Sequence, residues 1–248
     1  MKAYAVTDIG RVRKMNQDAL FSSTEAVGPL PNLFLVADGM GGHRAGDFAS
    51  RYLAEHLPEY IRTSKENEVI AVLKEAIDRV NLELYDLACE KEELSGMGTT
   101  LVAATIKDSI LYVANIGDSR LYLIEKSGLR QITRDHSFVE EMVSKGQMER
   151  ESEEYKQQKN IITRAVGIER LVETDFFEVP LQEDSYVLLC SDGLSNMVDN
   201  SSIFRLVLLP GTLHMKVKAL TALANQNGGK DNIAVVLVEP QRNEVRRG

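Results

Sequence analysis

Two apolar runs in this chain end on the same dipeptide. Leu33-Phe34-Leu35-Val36-Ala37 runs into Asp38-Gly39, and Val187-Leu188-Leu189-Cys190-Ser191 runs into Asp192-Gly193. A third acidic turn, Gly228-Gly229-Lys230-Asp231-Asn232, opens the apolar run Ile233–Val238. A carboxylate at the end of a buried strand is costly unless a cation meets it. Ends like these, far apart in sequence, read as one site assembled by folding, and that site as a metal site. Asp18, in Arg13-Lys14-Met15-Asn16-Gln17-Asp18, and Asp118, in Asn115-Ile116-Gly117-Asp118-Ser119-Arg120, join the set. Oxygen-only ligands suit hard cations such as Mg²⁺ or Mn²⁺ rather than zinc. Crowded carboxylates cannot all ionise without them. Gly39 would let its backbone carbonyl approach an ion as well. Two such ions can share and deprotonate a water and hold both oxygens of an in-line displacement at phosphorus. Each Asp-Gly pair alone is an ordinary turn; joint placement at strand ends is what sets these apart.

The elements that must carry these residues are legible from periodicity. Alternation predicts a strand at Tyr4–Thr7 and a buried one at Leu33–Asp38. Helical spacing predicts helices over Asp47–Ile61 and from Glu68 to about Glu90. Strands follow at Thr100–Ile106, Ile110–Ile116, Ser119–Ile124 and Leu129–Thr133, and the short turns between them predict an antiparallel meander. The segment Phe138–Lys159, rich in Glu, Lys and Gln, is expected to be weakly anchored and mobile. Strands at Thr174–Val179 and Tyr186–Ser191, helices near Ser201–Leu208 and Leu213–Asn225, and a last strand at Asn232–Glu239 complete the order. Thr99-Thr100 begins a core strand, with the preceding glycines allowing close packing. The polar tail 241–248 is expected to fray. No repeat or linker interrupts the chain, so residues 1–240 read as one α+β domain.

Bulk properties remove several function classes. The 248 residues are 44% hydrophobic and 27% charged, with 6 Pro and 17 Gly, which excludes disorder. A net charge of −8 disfavours nucleic-acid and anionic-membrane binding. No run approaches the roughly 18–20 apolar residues of a membrane span, and the first residues turn polar too early for a signal peptide. Cys89 and Cys190 are expected to be a buried, reduced pair in a cytoplasmic protein. Cysteine-based phosphatase chemistry is excluded, because Ser95 and Asn196 stand where an Arg would close the phosphate loop. Neither a P-loop nor a Gly-x-Ser-x-Gly elbow occurs. His56 falls on an apolar helical stripe and reads as structural; His136 is expected to order the start of the mobile segment, and His214 to precede a helix.

The ordered set Arg13–Asp18, Val36-Ala37-Asp38-Gly39-Met40-Gly41-Gly42-His43, Gly96-Met97-Gly98-Thr99-Thr100, Ile116–Arg120, Ser191-Asp192-Gly193 and Asp231-Asn232-Ile233 resembles the metal-dependent type 2C (PPM) serine/threonine protein phosphatases in their small bacterial form. The match runs from about Asp8 to Val238. It implies a central antiparallel β-sandwich flanked by pairs of α-helices, in α-β-β-α layers, with a flap subdomain at about 138–160 that tunes access of protein substrates. It also implies a metal set of Asp18, Asp38, Gly39, Asp118, Asp192 and Asp231. In it Asp38 bridges two Mn²⁺ or Mg²⁺ ions, Gly39 adds its carbonyl, and Asp192 and Asp231 complete the first ion's shell. Asp18 acts mainly through water, and Asp118 with Asp192 would hold a third, weaker ion. Arg13 matches the family's phosphate-binding arginine, consistent with the two-pronged grip of a guanidinium. Met40 departs from the pattern, since many members carry a proton-donating His there; His43 is the nearest alternative acid. The implied activity is hydrolysis of phosphoserine and phosphothreonine by direct attack of a metal-bridging water or hydroxide. The implied setting is a cytoplasmic monomer acting on phosphorylated proteins, among them a bacterial Ser/Thr kinase. Two other readings stay open: a pseudophosphatase that only binds, and a phosphatase dedicated to an anti-sigma-factor antagonist.

Overall fold

The computed structural model describes residues 1–42, 45–150, 152–182 and 184–240. In chain order the elements are β1 (Lys2–Asp8), β2 (Asp18–Ser23), β3 (Leu33–Met40), α1 (Ala45–Thr63), α2 (Val69–Glu90), β4 (Gly98–Thr99), β5 (Leu101–Lys107), β6 (Ile110–Ile116), β7 (Arg120–Glu125), β8 (Gly128–Gln131), α3 (Phe138–Ser144), α4 (Glu153–Gln158), β9 (Asp175–Pro180), β10 (Tyr186–Cys190), α5 (Asp192–Ser195), α6 (Asn200–Leu208), α7 (Leu213–Gln226) and β11 (Ile233–Glu239). One sheet has the order β1-β11-β10-β7-β8; the other is β2-β3-β5-β6-β9, with β4 paired to β3. The strand pairings are antiparallel throughout.

Three apolar layers hold the sheets and helices together, and strand parity assigns each residue to one of them. Phe34, Val36, Val102, Leu121, Leu189 and Val236 fill the space between the sheets. Leu33, Leu35 and Ala37, on the opposite face of β3, pack under α1 and α2 with Leu53, Leu57 and Val72. On the other sheet Leu188, Val235 and Leu237 pack under α6 and α7 with Ile203, Val217 and Leu220. Both faces of the central strands are therefore covered, which is why these strands read as continuous apolar runs rather than as alternating ones. Successive side chains alternate across a strand. Asp38 thus shares the inward face with Phe34 and Val36, at the end of the sandwich.

Several expectations change. The predicted meander is two hairpins in different sheets: β5 pairs β6 in one, and β7 pairs β8 in the other. The turn Gly117-Asp118 is short, but it is a corner between layers. Gly117 takes φ +97°, and a Cβ there would overlap Thr100. His136 braces the corner from outside, accepting the Gly117 N–H at 3.0 Å while its own N–H donates to the Gly117 carbonyl at 2.9 Å. The strand β2 has no counterpart in the periodicity, because its segment DALFSS alternates weakly. The cysteines are not a buried pair: Cys190 is buried in β10 and Cys89 is exposed on α2. His214 lies inside α7 rather than before it, with its ring set edge-on against Tyr4. His56 is structural as expected; its Nδ1 lies 2.9 Å from the Tyr52 carbonyl and its ring stacks on Tyr52.

The segment at 138–159 forms α3 and α4, capped by Ser137 and Ser152, and only Val139 of these two helices is buried. It is tethered by polar contacts instead: Tyr155 to Glu140 at 2.8 Å, Phe138 N–H to the Ile161 carbonyl at 2.8 Å, and Lys159 to Asn196 at 2.8 Å. No helix among the described residues is long and apolar enough to cross a membrane.

The corner at Gly117 generates a stability prediction. Gly117→Ala combines a left-handed backbone with an overlap on Thr100 and should cost about 2 kcal/mol or more. In a chain of this size that lowers the melting midpoint by roughly 4–8 °C. Thermal denaturation of the variant checks it; a midpoint within about 1 °C of the parent would show that the corner tolerates a side chain.

Candidate metal centre

Asp18 and Asp38 are directly opposed across β2 and β3. Their carboxylates therefore face the same inter-sheet end. β10 stops at Cys190, and Asp192 begins the single turn α5 beside them. Asp231 arrives from the turn before β11, and Asp118 from the β6–β7 corner. Asp18 and Asp118 are buried, while Asp38, Asp192 and Asp231 keep partial access to solvent. The five acids predicted from scattered positions are gathered at one end of the sandwich.

Tight backbone approaches permit this convergence. A Cβ at Gly39 would overlap the Gly46 carbonyl, so the end of β3 can lie against the first turn of α1 only with glycine. Gly193, by type an ordinary turn residue, does more than serve its turn. A Cβ there would overlap the Asn232 carbonyl, so this glycine lets the Asp192 and Asp231 turns touch. Asp38 is held by its backbone: its N–H donates to Thr100 Oγ1 at 2.9 Å, and its carbonyl accepts from Thr100 N–H at 2.9 Å and Thr99 Oγ1 at 3.0 Å. Thr100 Oγ1 in turn contacts Ser119 Oγ at 2.7 Å, joining the Asp38 strand to the Asp118 corner. Asp18 Oδ2 accepts from Ser191 Oγ at 2.6 Å, and that hydroxyl accepts the Ala234 N–H at 2.9 Å. Asn196 Nδ2 donates to Asp192 Oδ2 at 2.9 Å.

Asn232, which periodicity did not single out, is the hub. Its Oδ1 accepts the Gln17 N–H at 2.8 Å, and its Nδ2 donates to the carbonyls of Ile9 and Met15, each at 2.9 Å. One buried amide thus ties both ends of the loop that carries Arg13, whose start is also held by the Arg11 N–H on the Gly229 carbonyl at 2.7 Å. Arg13 itself is half exposed and donates from Nη2 to Asp231 Oδ2 at 2.7 Å. The only sequence signal for Asn232 was its position beside Asp231, and for Ser191 its position before Asp192.

The electrostatics follow from burial and crowding. Burial, with the charges of Asp192 and Asp231, pushes the Asp18 carboxyl up to about 7. Burial and the Asp192 charge raise Asp118 to about 7, and burial with Asp231 raises Asp192 to about 6. Asp38 is pushed well above the usual carboxylate range by burial and then by Asp18, Asp192 and Asp118. Arg120 offsets only part of this at Asp118, because its guanidinium is hydrogen-bonded to Asp135 at 2.6–3.0 Å instead. Asp18 Oδ1, Asp118 Oδ1 and Asp192 Oδ1 are each buried without a hydrogen-bond partner among the described residues. Orphaned acceptors on carboxylates held above their normal pKa fit a hard divalent cation. No three acidic, His or Cys side chains among the described residues close on one ion by themselves. Such a centre would therefore recruit water and backbone oxygen as well.

His136 is outside this chemistry. Its Nδ1 accepts from Gly117, so Nε2, 3.2 Å from Asp175, carries the proton by the logic of its partners. Burial holds its pKa below the usual value. His43 lies outside the described residues. Met40 pairs with Gly98 across β3 and β4 and offers no proton. A cavity of about 470 Å³ opens from Asp118 and Asp192 toward Tyr155, Lys156 and Lys159, between the centre and α4.

Comparison with known proteins gives the same picture from independent directions. Residues 11–232 match the family model described as protein phosphatase 2C. The serine/threonine phosphatase Stp of Listeria innocua is 41% identical over 254 residues, spanning 100% of this chain and 98% of that one. The crystal structure of serine/threonine phosphatase Stp1 from Staphylococcus aureus superposes with a TM-score of 0.89 at 36% identity, covering 97% of this chain and 95% of the other. The catalytic domain of the serine/threonine protein phosphatase PstP, solved in complex with two manganese ions, superposes at 0.83 with 31% identity, over 96% of this chain and 97% of that one. With its sandwich, its acidic end and its full-length relatives in agreement, this chain belongs to the protein phosphatase 2C family and is a protein serine/threonine phosphatase.

Proposed function

We propose that this phosphatase hydrolyses phosphoserine and phosphothreonine in one step at the acidic end of the sandwich. The observation that carries the assignment is the convergence of five aspartates with three orphaned buried oxygens. Asp38, Asp192 and Asp231, with the Gly39 carbonyl, would hold a pair of divalent cations, Mn²⁺ or Mg²⁺. Asp18 would act through water, and Asp118 with Asp192 would hold a third, weaker ion. When bound, such ions lower the pKa of a shared water and neutralise charge at phosphorus.

The chain's own residues do the rest. Arg13 takes the phosphate in a two-pronged grip and orients it for in-line attack. Its pair with Asp231 is half exposed, so exchanging the carboxylate for a phosphate costs little. The Thr99–Thr100 clamp fixes the Asp38 backbone, and Asn232 fixes the loop bearing Arg13. Met40 leaves the departing oxygen to His43 or to solvent for its proton. The substrates are phosphorylated proteins, a bacterial Ser/Thr kinase among them, met by a cytoplasmic monomer whose single phosphatase domain spans residues 1–240. Every acid of the set is present, which speaks against the binding-only reading, and no observation favours the dedicated-antagonist one.

Two outcomes are expected. Asp38→Asn should lower turnover of a phosphothreonine peptide by more than about 100-fold, beyond the 10–100-fold that loss of an outer partner costs. Its metal-free melting midpoint at pH 8 should equal or exceed the parent's, because one repelling charge is gone. Turnover within tenfold of the parent would sink the assignment.

The second concerns pH. Burial and mutual repulsion raise Asp18 and Asp118 to about 7 and Asp192 to about 6, above the ordinary carboxylate range. A raised carboxyl pKa stabilises the fold at low pH, and that stability is lost as pH rises through the folded value. Metal-free protein should therefore lose this contribution between about pH 4 and pH 7. The rise in melting midpoint on adding Mn²⁺ should be small at pH 4.5 and grow to pH 7.5. A rise independent of pH would count against these carboxylates as ligands.

A further inference from the structure

A groove of about 590 Å³ lies beside the catalytic end, away from α4. Its floor is apolar: Met15, Phe48, Tyr52 and Leu94. Phe48 and Tyr52 stack at 5.7 Å, and the Tyr52 hydroxyl is tied to Glu83 at 2.9 Å, so the aromatic surface is rigid. Met15, 38% exposed, presents its side chain to solvent with no role in the core. The rim is acidic. Arg51 pairs with Asp47 at 2.6 Å, so among the described lining residues the exposed Glu55 and Glu93 set its charge.

The groove continues directly from the centre. Met15 stands two residues after Arg13, and its carbonyl is bound by Asn232. Ser50, on the same helix as Phe48, donates to the Gln17 carbonyl at 2.6 Å. Two extended residues span about 7 Å, so a chain whose phosphate sits at Arg13 reaches Met15 within two to four residues. From Phe48 to Glu55 the helix rises about 10 Å, or roughly three further residues of extended chain.

We propose that this groove binds the stretch of substrate polypeptide next to the phosphorylated residue, and selects one with an apolar side chain followed outward by lysine or arginine. The inference rests on the phosphatase reading above and adds its sequence preference. The apolar floor takes the first side chain, and Glu55 and Glu93 meet the cation. A second copy of this chain, carrying a net charge of −8, would bring like charge to an acidic rim.

The test uses two phosphothreonine peptides bearing leucine three residues from the phosphate, on either side, followed outward by two lysines. Matched peptides carry glutamates in place of the lysines. The parent should show a kcat/KM about 10-fold higher on lysine peptides of one polarity than on their glutamate partners, mainly through KM. The exposed double variant Glu55→Lys/Glu93→Lys should reverse that roughly tenfold preference, the scale of two exposed ion pairs made and lost, while leaving p-nitrophenyl phosphate turnover within about twofold. Binding of the labelled, unphosphorylated lysine peptide to chelated protein, followed by fluorescence anisotropy, reads the groove without turnover. Retained, charge-dependent binding with no phosphate release from any substrate would support the groove while the phosphatase reading failed. Equal kcat/KM for lysine and glutamate peptides, or a preference that survives the double reversal, would overturn the proposal. Concentration-dependent dimerisation abolished by the reversal would assign the groove to a second copy and overturn it too.

Discussion

Carboxylates forced together out of water are the constraint around which this molecule is arranged. Asp18, Asp38, Asp118 and Asp192 repel one another, and burial raises the cost of each charge. Among the described residues no basic side chain forms an ion pair with Asp18, Asp38, Asp118 or Asp192. Arg13 pairs with Asp231 at the rim, and the largely buried Arg120 pairs with Asp135. The fold supplies the compensating stability elsewhere, in three apolar layers that hold the strand ends where their own charges would drive them apart. The centre is preorganised at the expense of local stability, as catalytic sites commonly are.

How much of this was readable in the sequence depends on whether the signal was local. The runs Leu33–Ala37, Val187–Cys190 and Ile233–Val238 announced buried strands, since each is covered on both faces and has no polar side to blur it. Asp38, Asp192 and Asp231 were visible because carboxylates sit badly at the ends of such runs, whereas Asp18 and Asp118 entered through the motifs around them. The β6–β7 corner was not readable as a corner: Gly117-Asp118 has the length of a hairpin turn, and only its Thr100 and His136 contacts make it a passage between sheets. Strand β2 was missed because Asp18-Ala19-Leu20-Phe21 gains its strand identity from register with β3 rather than from its own pattern. Cys89 was misplaced because it was read from the redox setting rather than from its helix, whose buried stripe through Leu73, Ile77, Val80 and Leu84 leaves position 89 on the opposite face. Asn232 and Ser191 carry no signal at all beyond adjacency to an acid, because a hydrogen-bond hub is defined by what lies far away in sequence.

The two glycines of the repeated Asp-Gly turn show why a motif underdetermines its chemistry. Both were ordinary turn residues by type, yet neither is needed for its φ angle. Gly39 makes room for the Gly46 carbonyl and Gly193 for the Asn232 carbonyl. Each glycine brings a neighbouring backbone within reach of the carboxylate beside it, so the aspartates converge because the backbones can touch. An alanine at either place would leave every acidic side chain in the sequence and move the site apart.

Exposure divides the centre into parts that stay and parts that exchange. The Asp18–Ser191 bond and the Asn232 amide are buried, where losing one partner costs about 1–3 kcal/mol. They set positions and have no reason to open during turnover. The Arg13–Asp231 pair has side chains 50% and 33% exposed, where an ion pair is worth about 0–1 kcal/mol. Phosphate can displace that carboxylate at little cost and gain a charge-assisted, two-pronged contact in return. The same logic applies to the tether at α4, where Lys159 reaches Asn196 and Asn196 reaches Asp192. Helices α3 and α4 bury little beyond Val139, so this polar chain, rather than a packed interface, is what couples their position to a carboxylate of the centre.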